Sequence, residues 1–169
     1  MRGTKLVMAG LALALSASSA GADTKKAKTE VFFRFDSAEL SDEAIAKLAR
    51  AATDAAEDTG AKVVLEGHAD PRGTAPYNVG LSIRRAEAVR DQLVKHGVSA
   101  DNIILAFYGE DGAKRETLAE DRRVGIRLTR EPLYVVIDDS LPTATAVTWE
   151  KPATVAEIEG PRVEQTARR

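Results

Sequence analysis

A carboxylate, a primary amide and a guanidinium stand at Asp70, Asn78 and Arg85. Asn78 and Arg85 are seven residues apart, two turns of a helix, so they share a helix face, with Ser82 between them. Together the three groups suit an amino-acid head group. The planar fork of Arg85 matches a carboxylate, Asp70 matches an ammonium, and Asn78 can hold either a loop or the ligand. The competing reading is structural: Asp70 caps a turn, and Arg85 is a solvated helix residue or half of an ion pair. Ser82 has no His–Asp relay to activate it, so nucleophilic catalysis is unsupported and no enzyme is expected.

The elements that must position these groups are legible on either side. Residues 62–66 (Lys-Val-Val-Leu-Glu) read as a strand, and residues 77–96 read as a helix with an apolar stripe at Leu81, Val89 and Leu93. Pro71, Arg72, Gly73 and Thr74 make the turn between them. Asp70 therefore falls at the carboxyl end of a strand, where ligand sites of α/β units gather. Upstream, residues 31–35 read as a first strand with Val31, Phe33 and Phe35 on the core face. A helix opens at Ser41, with Asp42 and Glu43 at its positive end, a buried stripe at Ile45, Leu48, Ala49, Ala52 and Ala56, and Gly60 as its stop. Gly97 closes the long helix. Residues 103–108 form a third strand, and Val124, Ile126 and Leu128 alternate along a last one. Arg122 shares the parity of that apolar set. If the last strand runs antiparallel to the second, Arg122 starts at the same sheet edge as Asp70; it is then a ligand contact or a partner of Glu120 or Asp121.

The motif Gly67-His68-Ala69-Asp70, then Asn78, then Leu81-Ser82-Ile83-Arg84-Arg85-Ala86 resembles the OmpA-like domain, a peptidoglycan-binding module of Gram-negative envelopes. Phe35-Asp36 with Leu40, Phe107-Tyr108-Gly109-Glu110 and Asp121-Arg122-Arg123-Val124 are similar to further pieces of that family's pattern, and the resemblance runs from about residue 31 to residue 128. It implies a two-layer α/β sandwich of order β-α-β-α-β-β, a mixed sheet with the helices on one face. It also implies non-covalent binding of peptidoglycan through the diaminopimelate residue of the stem peptide, with Asp70 on the ammonium and Arg85 on the carboxylate. Asn78, Asp36, Ala69 and Arg122 complete the expected binding residues. Two positions depart from the family. Ala69 stands where a threonine is usual, removing a hydroxyl beside Asp70. Arg34 stands where a short acidic or amide residue is common, and it either adds a contact, crowds the site, or guards a sheet edge. The rival reading is an envelope scaffold of the same fold that binds a protein partner.

Composition narrows the classes further. The chain has no cysteine, which excludes disulfides, cysteine metal sites and an acylated amino-terminal cysteine. With only His68 and His96 as histidines, metal binding has little to stand on; His68 is expected to pack or hydrogen-bond at the strand end, and no cofactor is expected. Residues 1–22 read as a secretory signal: Arg2 and Lys5, an apolar run, then Ala20-Gly21-Ala22 as a cleavage site. Without Arg2 and Lys5 there remain 22 basic residues against 26 acidic ones, a net −4, which gives no footprint for nucleic acid. A periplasmic location follows, associated with the outer membrane or cell wall. Residues 23–29 read as a linker and 30–130 as the domain. Residues 131–169, holding four of the six prolines, read as an acidic, disordered tail that could bind an envelope protein; within it residues 133–137 could add a strand and Trp149 could anchor a docking contact.

Overall fold

The computed structural model describes residues 29–111, 117–140 and 144–149. The expected signal segment, the linker up to residue 28 and the chain beyond Trp149 lie outside the described residues. A mixed five-stranded sheet is built from β1 (Thr29–Phe32), β2 (Lys62–His68), β3 (Ile103–Gly109), β4 (Arg123–Thr129) and β5 (Ala146–Trp149), in the order β1-β4-β2-β3-β5. β2 and β3 are parallel, as a helical crossover demands. β4 runs antiparallel to both β1 and β2, pairing Val31 with Val124 and Gly67 with Val124 across its two edges. The carboxyl end of β2 and the amino end of β4 therefore meet at one sheet edge, the placement on which the reading of Arg122 depended.

Two long helices, α1 (Asp42–Glu57) and α2 (Ala75–Lys95), cover one face. Ser41 caps α1 by accepting from the Ala44 amide at 3.2 Å, and Thr74 caps α2 by accepting from Tyr77. The stripe of α2 is buried as expected at Leu81, Val89 and Leu93. That of α1 is rotated: Ala44, Leu48, Ala51 and Ala52 are buried while Ala56 is exposed. The spacing 44, 48, 51, 52 is still one helix face, and its small residues let α1 lie close to the sheet. Val63, Leu65, Ile103, Leu105, Val124 and Ile126 meet these helices in the main core. A short helix α3 (Leu118–Asp121) precedes β4, fixed by a capping box between Thr117 and Glu120.

Three expectations are corrected. The first strand is shorter than residues 31–35. Its ladder stops at Phe32, Phe33 is held by its amide to the Arg122 carbonyl at 2.8 Å, and Asp36 turns the chain with φ 54°. Val31 and Phe33 are buried, but Phe35 swings out and is 58% exposed. Residues 133–137 do not extend the sheet; they lie in a helix, α4 (Leu133–Ser140). Pro132 sits at its start, where a missing N–H costs nothing, and its carbonyl accepts from Val135 and Val136. Leu133, Val136 and Ile137 then stand at helical spacing and pack on Val64 and Ile104, on the sheet face opposite α1 and α2. The tail is consequently ordered in part. β5 pairs antiparallel with β3, and Trp149 donates its indole N–H to the Asp101 carbonyl at 2.8 Å.

This second core makes the segment after Arg130 a contributor to stability. Burial of Leu133 and Val136 contributes on the order of 1.5–3 kcal/mol each. A chain ending at Arg130 should therefore melt about 10 °C or more below the full-length protein. Circular dichroism melts of the two chains give the comparison; equal melting temperatures would show that α4 and β5 add nothing to the fold.

Candidate functional site

The site is assembled where β2 gives way to the turn before α2. Gly67 permits the approach: a Cβ there would sit 2.5 Å from the Ser82 carbonyl oxygen, so any other residue would push α2 off the sheet. Ser82 itself is structural, donating to the Val79 carbonyl at 2.7 Å and accepting from the Gly109 amide at 3.2 Å. His68 stacks on Tyr108 with ring centroids 4.6 Å apart, in keeping with the packing role read from the sequence. Among the described residues no group of three or more His, Cys, Asp or Glu side chains could hold a metal ion.

Asp70 is 4% exposed. One carboxylate oxygen accepts from the Arg72 amide and Nε, both at 3.1 Å; the other accepts from Arg72 Nη2 at 2.8 Å and Arg122 Nη1 at 3.2 Å. The bonds from Arg72, and secondarily that from Arg122, hold its pKa at about 2 against the opposing effect of burial. Arg122 is fixed independently, donating to the Phe33 carbonyl at 3.1 Å and the Leu118 carbonyl at 2.9 Å. It takes Asp70 as its carboxylate partner; the ion pair with Asp121 belongs to its neighbour Arg123.

Arg85 lies elsewhere than a simple ligand fork would. It is 0% exposed, with Nε on the Ser37 carbonyl at 2.9 Å, Nη1 on the His68 carbonyl at 3.0 Å and Nη2 on the Arg34 carbonyl at 3.2 Å. Its guanidinium also stands 5.3 Å from the Phe33 ring centroid. Burial lowers its pKa to about 10, with Asp70 acting in the opposite direction, so it stays charged at neutral pH. One buried cation thus ties the segment after β1 to the end of β2.

Over Asp70 opens a cavity of about 170 Å³. Asp70, Asn78, Asp36 and Leu81 line it together with Phe35, Arg72, Gly73 and Tyr77. Of the six residues expected from the sequence, Asp70, Asn78 and Asp36 face this cavity. Asn78 donates to Glu110 at 2.6 Å, and Asp36 accepts from the Tyr77 hydroxyl. Ala69 is fully buried beneath the site, its amide on the Gly109 carbonyl at 2.6 Å, and Arg85 and Arg122 stand behind the wall rather than in it. Arg34 guards the surface: its exposed side chain lies 3.7 Å from Glu39. Sequence reasoning missed Arg72, Phe35 and Tyr77. The signal for Arg72 was present, since a residue two positions after an aspartate in a Pro-Arg-Gly turn can bond back to it; nothing in the sequence placed Phe35 under that guanidinium, 4.0 Å from its ring centroid.

Two stability measurements probe this geometry. Arg85→Ala leaves three backbone carbonyls without their donor and opens a void, so it should cost about 3 kcal/mol or more and lower the melting temperature by about 10 °C; an unchanged melt would mean the guanidinium is dispensable to the fold. Because the folded pKa of Asp70, about 2, lies below its ordinary 3.8, its contribution is full above about pH 4 and is lost as pH falls through 2. Denaturant unfolding should therefore lose about 2 kcal/mol over that window, and Asp70→Asn should largely abolish this dependence.

Comparison with known proteins places this arrangement. The sequence profile of the OmpA family matches residues 32–126. The peptidoglycan-associated lipoprotein of Pseudomonas aeruginosa is 40% identical over 107 residues, covering 60% of this chain and 63% of its own length; that of Rhizobium meliloti is 38% identical, covering 61% and 60%. The chain thus spans about three fifths of the length of these curated relatives. Among solved structures, the peptidoglycan-associated lipoprotein of Burkholderia pseudomallei superposes with a TM-score of 0.53 at 28% identity, over 59% of this chain and 89% of that one. The carboxyl-terminal domain of Helicobacter pylori MotB shares the fold at 19% identity, with a TM-score of 0.54. With the family profile matching residues 32–126, more than half of the chain, the chain belongs to the OmpA family.

Proposed function

We propose that this chain binds peptidoglycan non-covalently in the periplasm of a Gram-negative cell, through the free amino-acid end of a diaminopimelate residue in the stem peptide. The observation that carries this reading is the nearly buried, strongly acidic Asp70 carboxylate at the floor of a cavity small enough for one amino-acid head group. That the chain's relatives are peptidoglycan-associated lipoproteins supports peptidoglycan as the polymer bound. In this account Asp70 receives the ligand's ammonium, and the carboxylate lies toward the arginines. Arg85 reaches that carboxylate by exchange. A carboxylate is a stronger acceptor than a peptide carbonyl, and the longest of the three Arg85 bonds, to the Arg34 carbonyl, comes from the chain segment that also carries Asp36 and Phe35 over the cavity. Release of that bond would admit the ligand and open Arg85 to it. Tyr77 and Phe35 supply apolar walls, which exclude water and strengthen each charged contact.

Co-sedimentation with purified sacculi tests the assignment. Wild-type protein should pellet with sacculi, and Asp70→Asn, which keeps the side chain's shape but not its charge, should bind at least about tenfold more weakly while remaining folded by circular dichroism. Arg84→Ala, on the exposed side of α2, should bind like wild type. Wild-type binding retained in a folded Asp70→Asn protein would remove Asp70 from the site. Failure of the wild type itself to pellet would leave the protein-binding scaffold as the better account.

A further inference from the structure

Asp70 is not vacant. An ionised carboxylate offers about four acceptor positions, and here four N–H groups fill them: the Arg72 amide, Arg72 Nε, Arg72 Nη2 and Arg122 Nη1. A ligand ammonium can reach Asp70 only by displacing one of these donors. The backbone amide is fixed by the turn. Arg122 has a side chain only 15% exposed and is held by two further carbonyls. The Arg72 side chain is 45% exposed and, besides Asp70, rests among the described residues only on the face of Phe35, itself exposed. It is the group that yields. Its departure frees one position on each carboxylate oxygen, which suits an ammonium bridging both.

We infer that Arg72 is an internal stand-in for the ligand's cation and, once displaced, the residue that makes the site selective for a whole amino-acid centre over a simple amine. This rests on the reading of the cavity as a diaminopimelate site. A ligand that brings only an ammonium breaks the Asp70–Arg72 pair and leaves the guanidinium without a carboxylate. One that brings an ammonium and an adjacent carboxylate exchanges one ion pair for two: Asp70 with the ammonium, and Arg72, beside Arg85, with the carboxylate. The guanidinium can turn its fork while keeping its stack on Phe35, because both lie at the cavity mouth. Discrimination thus comes from the cost imposed on the wrong ligand as much as from attraction to the right one.

Two stem tripeptides isolate this effect, one ending in meso-diaminopimelate and one in lysine, which differ by a single carboxylate. Calorimetric titration of the full-length protein should show clear preference for the diaminopimelate peptide. Arg72→Gln, which keeps a polar side chain of similar length but no charge, should bind the lysine peptide about fivefold more tightly than wild type does and should narrow the preference by at least about threefold. Arg72→Lys, still a cation, should leave the lysine peptide weak. Melting temperatures within a few degrees of wild type confirm that these half-exposed changes are tolerated. A preference undiminished in Arg72→Gln, whichever way the affinities move, would overturn this inference while leaving the peptidoglycan reading standing. Absence of diaminopimelate-peptide binding by the wild type would overturn both.

Discussion

The fold around the site depends on a guanidinium with no access to water. Arg85 carries its charge at 0% exposure, and its direct hydrogen-bond partners are peptide carbonyls from three points of the chain: Arg34, Ser37 and His68. Burial of an uncompensated charge costs many kcal/mol. Here the cost is offset by three carbonyl dipoles and by the field of Asp70, which opposes the downward shift that burial causes. The consequence is geometric. The segment leaving β1, which has no ladder partner after Phe32, is drawn to the end of β2, and that closure brings Phe35 and Asp36 over Asp70. The buried cation is thus a principal tie of the cavity roof, beside Arg122 on the Phe33 carbonyl and the Tyr77 hydroxyl on Asp36.

A second tier of charge then tunes the floor. Arg122 enters from the start of β4, placed there by the antiparallel pairing of β4 with β2, and is pinned by the Phe33 and Leu118 carbonyls before it reaches Asp70. Arg72 enters from the turn and is free at its outer side. The two arginines differ in what else holds them: Arg122 has two further carbonyl partners, whereas the Arg72 side chain is 45% exposed. On the reading proposed above, a site whose internal occupant mimics its ligand stays folded when empty and still has a defined group to give up on binding.

Much of this was legible in the sequence because it follows from local rules. The periodicity of α2, the strand before Asp70 and the turn residues between them put Asp70 and Asn78 at one sheet edge, and the parity of Arg122 brought it to the same edge. What the sequence could not show was where each guanidinium would be spent. Arg85 shares the helix face of Asn78 and Ser82, and Arg84 lies about 100° round from it, so which of the two turns inward was legible; that Arg85 would be spent on three backbone carbonyls under the β1 segment was not. Phe35 was placed in the core by alternation with Val31 and Phe33, but the strand ends before it and Asp36 adopts a left-handed turn. The apolar residues 133, 136 and 137 fit a strand by composition and a helix by spacing; a bare patch at Val64 and Ile104 on the far face of the sheet favours the helix.

A crystal structure of the protein with a diaminopimelate-ended stem peptide tests the central claim most directly. The account predicts the ligand's ammonium about 3 Å from both Asp70 oxygens, the Arg72 side chain turned off Asp70 toward the ligand, and Arg122 unmoved. A peptide seated elsewhere on the domain, with all four donors still on Asp70, would contradict it.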